Sequence, residues 1–175
     1  PHSSEQQPSL PLDTSEVSPN QKSLWYVEKI EPGIENNIGL FFGIKGELNV
    51  EVWKENLLTI INRHESLKTE FYTKDGELVK HVKDQIEEVP TFYAEESNFE
   101  KAKIKLKQLF ERQFDLSYAP LFRLAIVKVS KNHHLVSFCF HHIISDGWSI
   151  KVIFDEFNSL LENRSLTKIF TSFSE

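Results

Sequence analysis

Apolar positions recur every three or four residues in four segments of the chain, which is the period of an amphipathic helix. These segments cover residues 18–27, 50–67, 98–114 and 149–161. Ser18 is a suitable N-cap for the first segment, and Pro19 fits its first helical position. The pattern therefore predicts four helices, each with one apolar side.

Strand-like runs lie between these helices. The segment TEFYTKDGELVKHV has Asp-Gly between two such runs, which predicts a hairpin. NNIGLFFGIKGEL predicts a strand ended by glycine, while LFRLAIVKVS and HLVSFCFHHII predict two neighbouring central strands. The order helix, strand, helix, hairpin, helix, strand pair, helix predicts an α/β (α+β) sandwich, in which helices cover one mixed sheet.

Length and composition favour a single folded domain. The chain has 175 residues, 39% of them apolar, which is enough material for a core. Residues 1–13 are rich in Ser, Pro and Gln and have no apolar period, so we expect a linker or a vector-derived remnant there. Residues 14–175 form the predicted domain.

Charge and cysteine content restrict the partners and the compartment. The net charge of −6 argues against a nucleic-acid-binding protein, because such proteins usually carry a basic excess. No apolar stretch approaches the roughly 20 residues of a membrane span. The single cysteine, Cys139, cannot form an internal disulfide, which favours the cytoplasm.

The segment FHHIISDGWS, residues 140–149, concentrates the reactive side chains. Successive strand residues point to opposite faces, so His141 and His142 face different sides of the sheet. Histidine has an ordinary pKa of about 6.5, so its neutral ring accepts a proton near neutral pH. His142, the nearer of the two to the following turn, is a candidate general base. Asp146 can orient a partner or fix the loop, and Gly147 permits a turn or a close approach of the backbone.

Other interpretations of these residues stay open. Both histidines can be hydrogen-bonded structural residues, with Asp-Gly as an ordinary turn before a helix. A metal ion shared by residues 133–134 and 141–142 would have to bridge roughly 20 Å of strand, at about 3.3 Å per residue. Ser145 and Cys139 lie near the histidines, but neither occurs in a recognisable nucleophile motif.

Three separated segments resemble the motifs of one family, in the same order and spacing. FHHIISDGWS resembles the HHxxxDG motif of condensation domains of nonribosomal peptide synthetases. RHESLKTEF, residues 63–71, resembles their RHExLRTxF motif, and SPNQKSLW, residues 18–25, resembles their SxAQxRLW motif. The resemblance runs from about residue 10 to 161. It implies the N-terminal lobe of a chloramphenicol-acetyltransferase-like fold, without the C-terminal lobe.

The resemblance also implies roles for individual residues. His142 is then the active-site histidine, acting as a base or as a hydrogen-bonding group, within a catalytic motif that includes His141, Asp146 and Gly147. Asp146 is expected to form a structural ion pair with Arg63, and Gly147 to let the loop approach the reacting centre. Three positions depart from the family motifs, namely Asn20, Ser23 and Lys68.

The reaction implied by the resemblance is amide-bond formation. An amine on a downstream, acceptor peptidyl carrier protein attacks the thioester of an upstream, donor carrier protein, and the isolated lobe is expected to be inactive. The resemblance implies no directly bound cofactor and no metal, because the 4′-phosphopantetheine belongs to the carrier proteins. Two alternatives are a related acyltransferase that uses an acyl-CoA or carrier thioester with a free alcohol or amine, and a noncatalytic module that binds carrier proteins.

Overall fold

A computed structural model describes residues 16–164 and 166, which form four helices and six strands. The elements are α1 (Pro19–Ile30), β1 (Asn37–Lys45), α2 (Val50–Arg63), β2 (Thr69–Lys74), β3 (Glu77–Val82), β4 (Thr91–Glu95), α3 (Phe99–Phe110), β5 (Phe122–Ser130), β6 (His133–His141) and α4 (Gly147–Leu161). A 3-10 turn, Glu65–Lys68, follows α2. The linker predicted at residues 1–13 lies outside the described residues.

Four strands form one mixed sheet in the order β1-β6-β5-β4. β6 pairs antiparallel with both β1 and β5, whereas β4 pairs parallel with β5. β5 and β6 are therefore the central strands, as their long apolar runs predict. β2 and β3 form the predicted hairpin, in which Asp75 and Gly76 have φ values of 50° and 85°. Positive φ at both turn residues is the geometry that favours Asp-Gly.

Helices cover both faces of this sheet. On one face, Phe138 of β6 contacts Trp53 of α2 and Phe157 of α4, with ring centroids 6.2 and 5.2 Å apart. On the other face, α3 packs on β5 and β6 through a smaller apolar cluster made of Ala102, Leu106, Leu109, Ala125, Val127 and Leu135. The predicted fold class, a mixed sheet covered by helices, is confirmed.

The structure differs from the sequence-based prediction at the ends of two helices. α2 ends at Arg63, and the apolar pattern continues through the 3-10 turn, where Leu67 is buried. α3 ends at Phe110, because the side-chain amide of Asn37 donates to the carbonyl groups of Phe110 and Arg112 at 3.0 and 2.9 Å. Carbonyl groups at a helix end have no partner within the helix, so these hydrogen bonds stabilise the ending.

The apolar side of α1 also differs from its prediction. The pattern places Val27 on that side, yet Val27 is 53% exposed and the next residue, Glu28, is buried. A buried carboxylate requires hydrogen-bond partners. Glu28 has them because α1 lies beside the end of β6, where the candidate site begins.

Candidate active site

The candidate site lies at the edge of the sheet where β6 ends. His141 is the last residue of β6, and its backbone N–H donates to the carbonyl of Leu121 at 3.0 Å. His142 already lies beyond the strand, and its N–H donates to the carbonyl of Asn36 at 2.8 Å. The segments that precede β5 and β1 therefore hold the chain where it leaves the sheet.

Residues 142–146 form a loop that is anchored by its middle residues. Ile143, Ile144 and Ser145 are buried, whereas His142 and Asp146 on either side of them are exposed. The N–H of Ile144 donates to the carbonyl of His141 at 3.2 Å, which closes a tight turn. Burial of the three central side chains fixes a loop that presents two polar side chains to solvent.

The ring of His142 has a defined tautomer. Its Nδ1 lies 2.8 Å from the carbonyl oxygen of Ser145, and since that oxygen only accepts, Nδ1 must carry the proton. The other ring nitrogen, Nε2, has no protein partner among the described residues. This arrangement leaves the Nε2 lone pair available to accept a proton or a hydrogen bond.

The ring of His141 is enclosed by the protein, whereas that of His142 is exposed. His141 is 1% exposed, and its Nδ1 accepts a hydrogen bond from the N–H of Ile143 at 3.1 Å. Its Nε2 faces the carboxylate of Glu28 at 3.5 Å. Burial lowers the pKa of His141 below its ordinary value, and the nearby Glu28 opposes this shift. Of the two histidines, only His142 is accessible.

Glu28 is a site residue that the sequence motifs do not single out. It is 5% exposed and accepts hydrogen bonds from Gly33 N–H, Asn36 Nδ2 and Gln113 Nε2 at 3.3, 3.1 and 3.3 Å. Burial alone would raise the pKa of Glu28, but these hydrogen bonds and the neighbouring His141 lower it overall. The sequence does contain a signal for Glu28, because this glutamate lies three residues after Trp25 and so falls on the same, buried side of α1.

Gln21 explains why the first motif lies near the site. Its side-chain oxygen accepts from the N–H of Ser18 at 3.1 Å and completes a capping box at the start of α1. Its side-chain nitrogen donates to the carbonyl of Ile143 at 3.3 Å. Gln21 therefore stabilises the start of α1 and also attaches this helix to the loop that carries His142.

Asp146 is the N-cap of α4. Its Oδ1 accepts from both the N–H and the hydroxyl of Ser149, each at 2.8 Å. These two hydrogen bonds lower the pKa of Asp146 below its ordinary value. The carboxylate fixes the start of α4 directly after the loop.

The predicted ion pair between Arg63 and Asp146 is wrong. Arg63 donates from Nε to Glu156 of α4 at 3.1 Å, and the neighbouring His64 contacts the other oxygen of Glu156 at 2.7 Å. Asp146 is instead occupied by Ser149. The second motif thus contacts the middle of α4, because α2 packs along α4 and faces Glu156.

Gly147 is the first residue of α4, and the fold itself does not require a glycine there. Positive φ values among the described glycines occur at Gly46 and Gly76, not at Gly147. A Cβ atom built at Gly147 would meet no atom of the described residues within 4 Å. The neighbouring Trp148 is 74% exposed. The predicted Asp-Gly turn is thus the start of α4, and the space that a side chain at Gly147 would occupy is open.

The remaining candidates do not gather at this site. Cys139 is fully buried, and burial raises the pKa of its thiol. Residues 133–134 and 141–142 lie at opposite ends of β6. In residues 16–164 and 166, no group of three or more His, Cys, Asp or Glu is placed to hold a metal ion. No helix in this part of the chain is long and apolar enough to span a membrane.

Comparison with protein families gives one match that covers most of the chain. Residues 12–171 match the model described as "Condensation domain". The chain is 32% identical over 171 residues to gramicidin S synthase 2 of Brevibacillus brevis and 37% identical over 153 residues to bacitracin synthase 3 of Bacillus licheniformis. These alignments cover 97% and 86% of this chain but only 4% and 2% of the relatives.

Solved structures that superpose on this chain include condensation domains. The starter condensation domain of rhizomide synthetase superposes with a TM-score of 0.75 at 19% identity, covering 89% of this chain and 40% of that chain. The first condensation domain of the calcium-dependent antibiotic synthetase, in complex with a substrate analogue, gives a TM-score of 0.72 at 19% identity. The match covers 88% of this chain and 39% of that chain. The fold corresponds to their N-terminal lobe.

Proposed function

The chain belongs to the condensation-domain family of nonribosomal peptide synthetases, and from that membership we propose that it supplies the active-site histidine for amide-bond formation. The donor is an acyl or peptidyl thioester on an upstream carrier protein, and the acceptor is an aminoacyl thioester on a downstream carrier protein. Each substrate is attached through the 4′-phosphopantetheine of its carrier, so this chain needs no cofactor of its own.

The chemistry assigned to His142 follows from its tautomer. The acceptor amine attacks the donor carbonyl carbon, a C–N bond forms, and the C–S bond breaks as the tetrahedral intermediate collapses. The amine must lose a proton, and the leaving thiolate must gain one. Nε2 of His142 can accept the amine proton or its hydrogen bond, because Nδ1 is already committed to Ser145. This free Nε2 is the observation that carries the proposal.

Asp146 and Gly147 act on the same loop without exchanging a proton. Asp146 ends the loop by capping α4. Gly147 leaves open space at the start of α4, five residues after the exposed His142. We assign this space to the approach of a substrate or of the pantetheine arm, since a side chain there would meet no protein atom but would obstruct a ligand.

A complete reaction centre requires a second lobe. His142, Asp146, Gly147 and Trp148 are exposed on the surface of the described residues, so this lobe alone does not enclose the reacting groups. Holding two reactants in the correct geometry is worth up to about 7–11 kcal/mol in well-oriented reactions. We therefore expect the isolated lobe to be inactive, with the C-terminal lobe supplying the other wall.

The test compares the 175-residue chain with a two-lobed condensation domain that contains it. Both are incubated with an acyl-loaded donor carrier and an aminoacyl-loaded acceptor carrier, and the acceptor is analysed by intact-protein mass spectrometry. The two-lobed domain should produce the amide on the acceptor carrier, and the 175-residue chain should not.

The other outcomes decide against parts of the proposal. Product from the 175-residue chain alone would refute the need for a second lobe. Faster product formation from acyl-CoA and a free amine or alcohol would identify a related acyltransferase. Carrier binding without product in the two-lobed domain would identify a noncatalytic module.

A further inference from the structure

A buried carboxylate lies directly behind the candidate active site. Glu28 is in the interior of α1, it is 5% exposed, and the mechanism proposed for His142 does not use it. Charged side chains are rarely buried to this extent unless the surrounding groups satisfy them. The four groups around this carboxylate are Gly33 N–H, Asn36 Nδ2, Gln113 Nε2 and His141 Nε2.

Two connections lead from this carboxylate to the backbone around His142. In the first, Asn36 donates from Nδ2 to Glu28, and the carbonyl of Asn36 accepts from His142 N–H at 2.8 Å. In the second, the ring of His141 faces Glu28 with Nε2 and accepts from Ile143 N–H with Nδ1. Glu28 is thus linked to the backbone N–H groups of residues 142 and 143, at the point where the chain leaves β6.

The tautomer of His141 depends on this arrangement. Nδ1 of His141 accepts from a backbone N–H, so in the neutral ring the proton is on Nε2, which faces Glu28. A neutral amide in place of the carboxylate would put an N–H group or a weaker acceptor against Nε2–H. Among the described residues this nitrogen makes no hydrogen bond, and the acidic group that it faces is the carboxylate of Glu28, 3.5 Å away. Phe114 packs edge-on against the same ring, with centroids 6.0 Å apart.

We propose that Glu28 is a positioning residue for His142, acting through the His141 ring and the Asn36 backbone. This inference rests on the proposed role of His142 in amide-bond formation. Glu28 touches neither substrate nor the reacting atoms. It holds the strand end in the position that directs Nε2 of His142 outward.

The first test is kinetic and uses the two-lobed domain. Glu28→Gln keeps the size of the side chain but removes its charge, and it should lower kcat by about 10- to 100-fold, by analogy with residues that orient metal-ligating side chains through a hydrogen bond. KM for the loaded acceptor carrier should change little. Glu31→Gln is the matched control, because Glu31 is an exposed glutamate at the end of the same helix; it should leave kcat unchanged.

The second test measures a property that a general loss of stability does not change. Long-range ¹H–¹⁵N NMR spectra of the folded 175-residue chain report the protonated nitrogen of each histidine. The wild-type chain should show His141 protonated on Nε2 and His142 protonated on Nδ1. Glu28→Gln should shift His141 away from this single tautomer and should broaden or shift the signals of His142.

The outcomes separate this inference from the proposed function. Unchanged kcat and unchanged histidine tautomers in Glu28→Gln would overturn the inference while leaving the role of His142 intact. If His142→Ala retains full activity, the proposed function itself fails. If Glu28→Gln does not fold, Asn36→Ala decides instead, because it removes one link and keeps the carboxylate; a wild-type kcat in that variant would overturn the inference.

Discussion

At the scale of single residues, the two histidines differ because the chain turns directly after β6. His141 completes the strand and enters a polar pocket beside Glu28, whereas His142 follows the turn outward. Alternation along a strand predicts that the two rings point apart, but it cannot tell which one is exposed. In the folded chain His141 faces Glu28, and the N–H of His142 donates to the carbonyl of Asn36, and both of these partners are distant in sequence.

Gly147 allows the fold and the reaction to be tested separately. Gly147→Ala should keep or raise the stability of the chain by up to about 1 kcal/mol, because alanine is the better helix former and the new methyl group meets open space. The same variant in the two-lobed domain should lose condensation activity, since the methyl group would occupy the space that we assign to the substrate.

Gly46→Ala is the matched control for this prediction. Gly46 has φ of +118°, so alanine there should lower the urea midpoint of the chain. A Gly147→Ala chain that is clearly destabilised would show that the fold needs this glycine. A stable Gly147→Ala variant with wild-type activity would show that neither the fold nor the reaction needs a glycine at this position.

Asp146 should contribute to stability in a pH-dependent way. Its pKa is lowered in the folded state by Ser149, so its contribution is present above its ordinary pKa, near 3.9, and is lost as pH falls through the lower folded value. Asp146→Ala should cost about 1 kcal/mol at pH 7, and Asp146→Asn, which also caps helices, should cost less.

Urea unfolding of the 175-residue chain at pH 7 and near pH 3 tests this expectation. The difference between wild type and Asp146→Ala should shrink at the lower pH. An equal difference at both pH values would contradict a charge-dependent cap.

At the scale of secondary-structure elements, the sequence predicts long periodic segments better than their ends. The helices, the hairpin and the central strand pair follow from apolar spacing and from one Asp-Gly turn. The edge strand β4 is only five residues long and has no clear alternation, so the pattern does not predict it. The end of α3 depends on the side chain of Asn37 in another element, which no local pattern contains.

The contact between α2 and α4 gives Arg63 a different partner from the one that the motifs suggest. The motif indicates that Arg63 needs a carboxylate, and Asp146 is the acidic residue within the neighbouring motif. Glu156 lies outside any motif, yet it faces both Arg63 and His64 in the folded chain. Choosing between two acidic residues near one helix requires knowledge of how the helices pack.

Double-mutant cycles should identify the true partner of Arg63. We expect Arg63→Ala and Glu156→Ala to be coupled by about 0.5–3 kcal/mol in the free energy of unfolding, because the pair is partly buried and in contact. Arg63→Ala and Asp146→Ala should add to within about 0.5 kcal/mol. The measurement is urea unfolding of the four variants of each cycle. Stronger coupling of Arg63 to Asp146 than to Glu156 would contradict the structure.

At the scale of the whole molecule, the site lies at the rim of a lobe rather than inside a closed pocket. The chain spans about 40% of the solved condensation domains that it matches and 2–4% of synthetases such as bacitracin synthase 3 and gramicidin S synthase 2. One wall of the site is formed by the end of β6, the loop and the start of α4. We therefore assign the reactive group to this lobe, and the confinement of the substrates to the surface that faces it.

Substitution of His142 in the two-lobed domain shows whether Nε2 of this residue acts on the attacking amine. Formation of the amide on the acceptor carrier is followed by quenched reaction and intact-protein mass spectrometry. His142→Ala should slow this step by about 10²- to 10⁴-fold while carrier loading and the thermal midpoint of the domain stay close to wild type. His133→Ala, which removes an exposed histidine at the opposite end of β6, should react as wild type does. Product formation by a folded His142→Ala domain at the wild-type rate would show that Nε2 of His142 does not act on the amine.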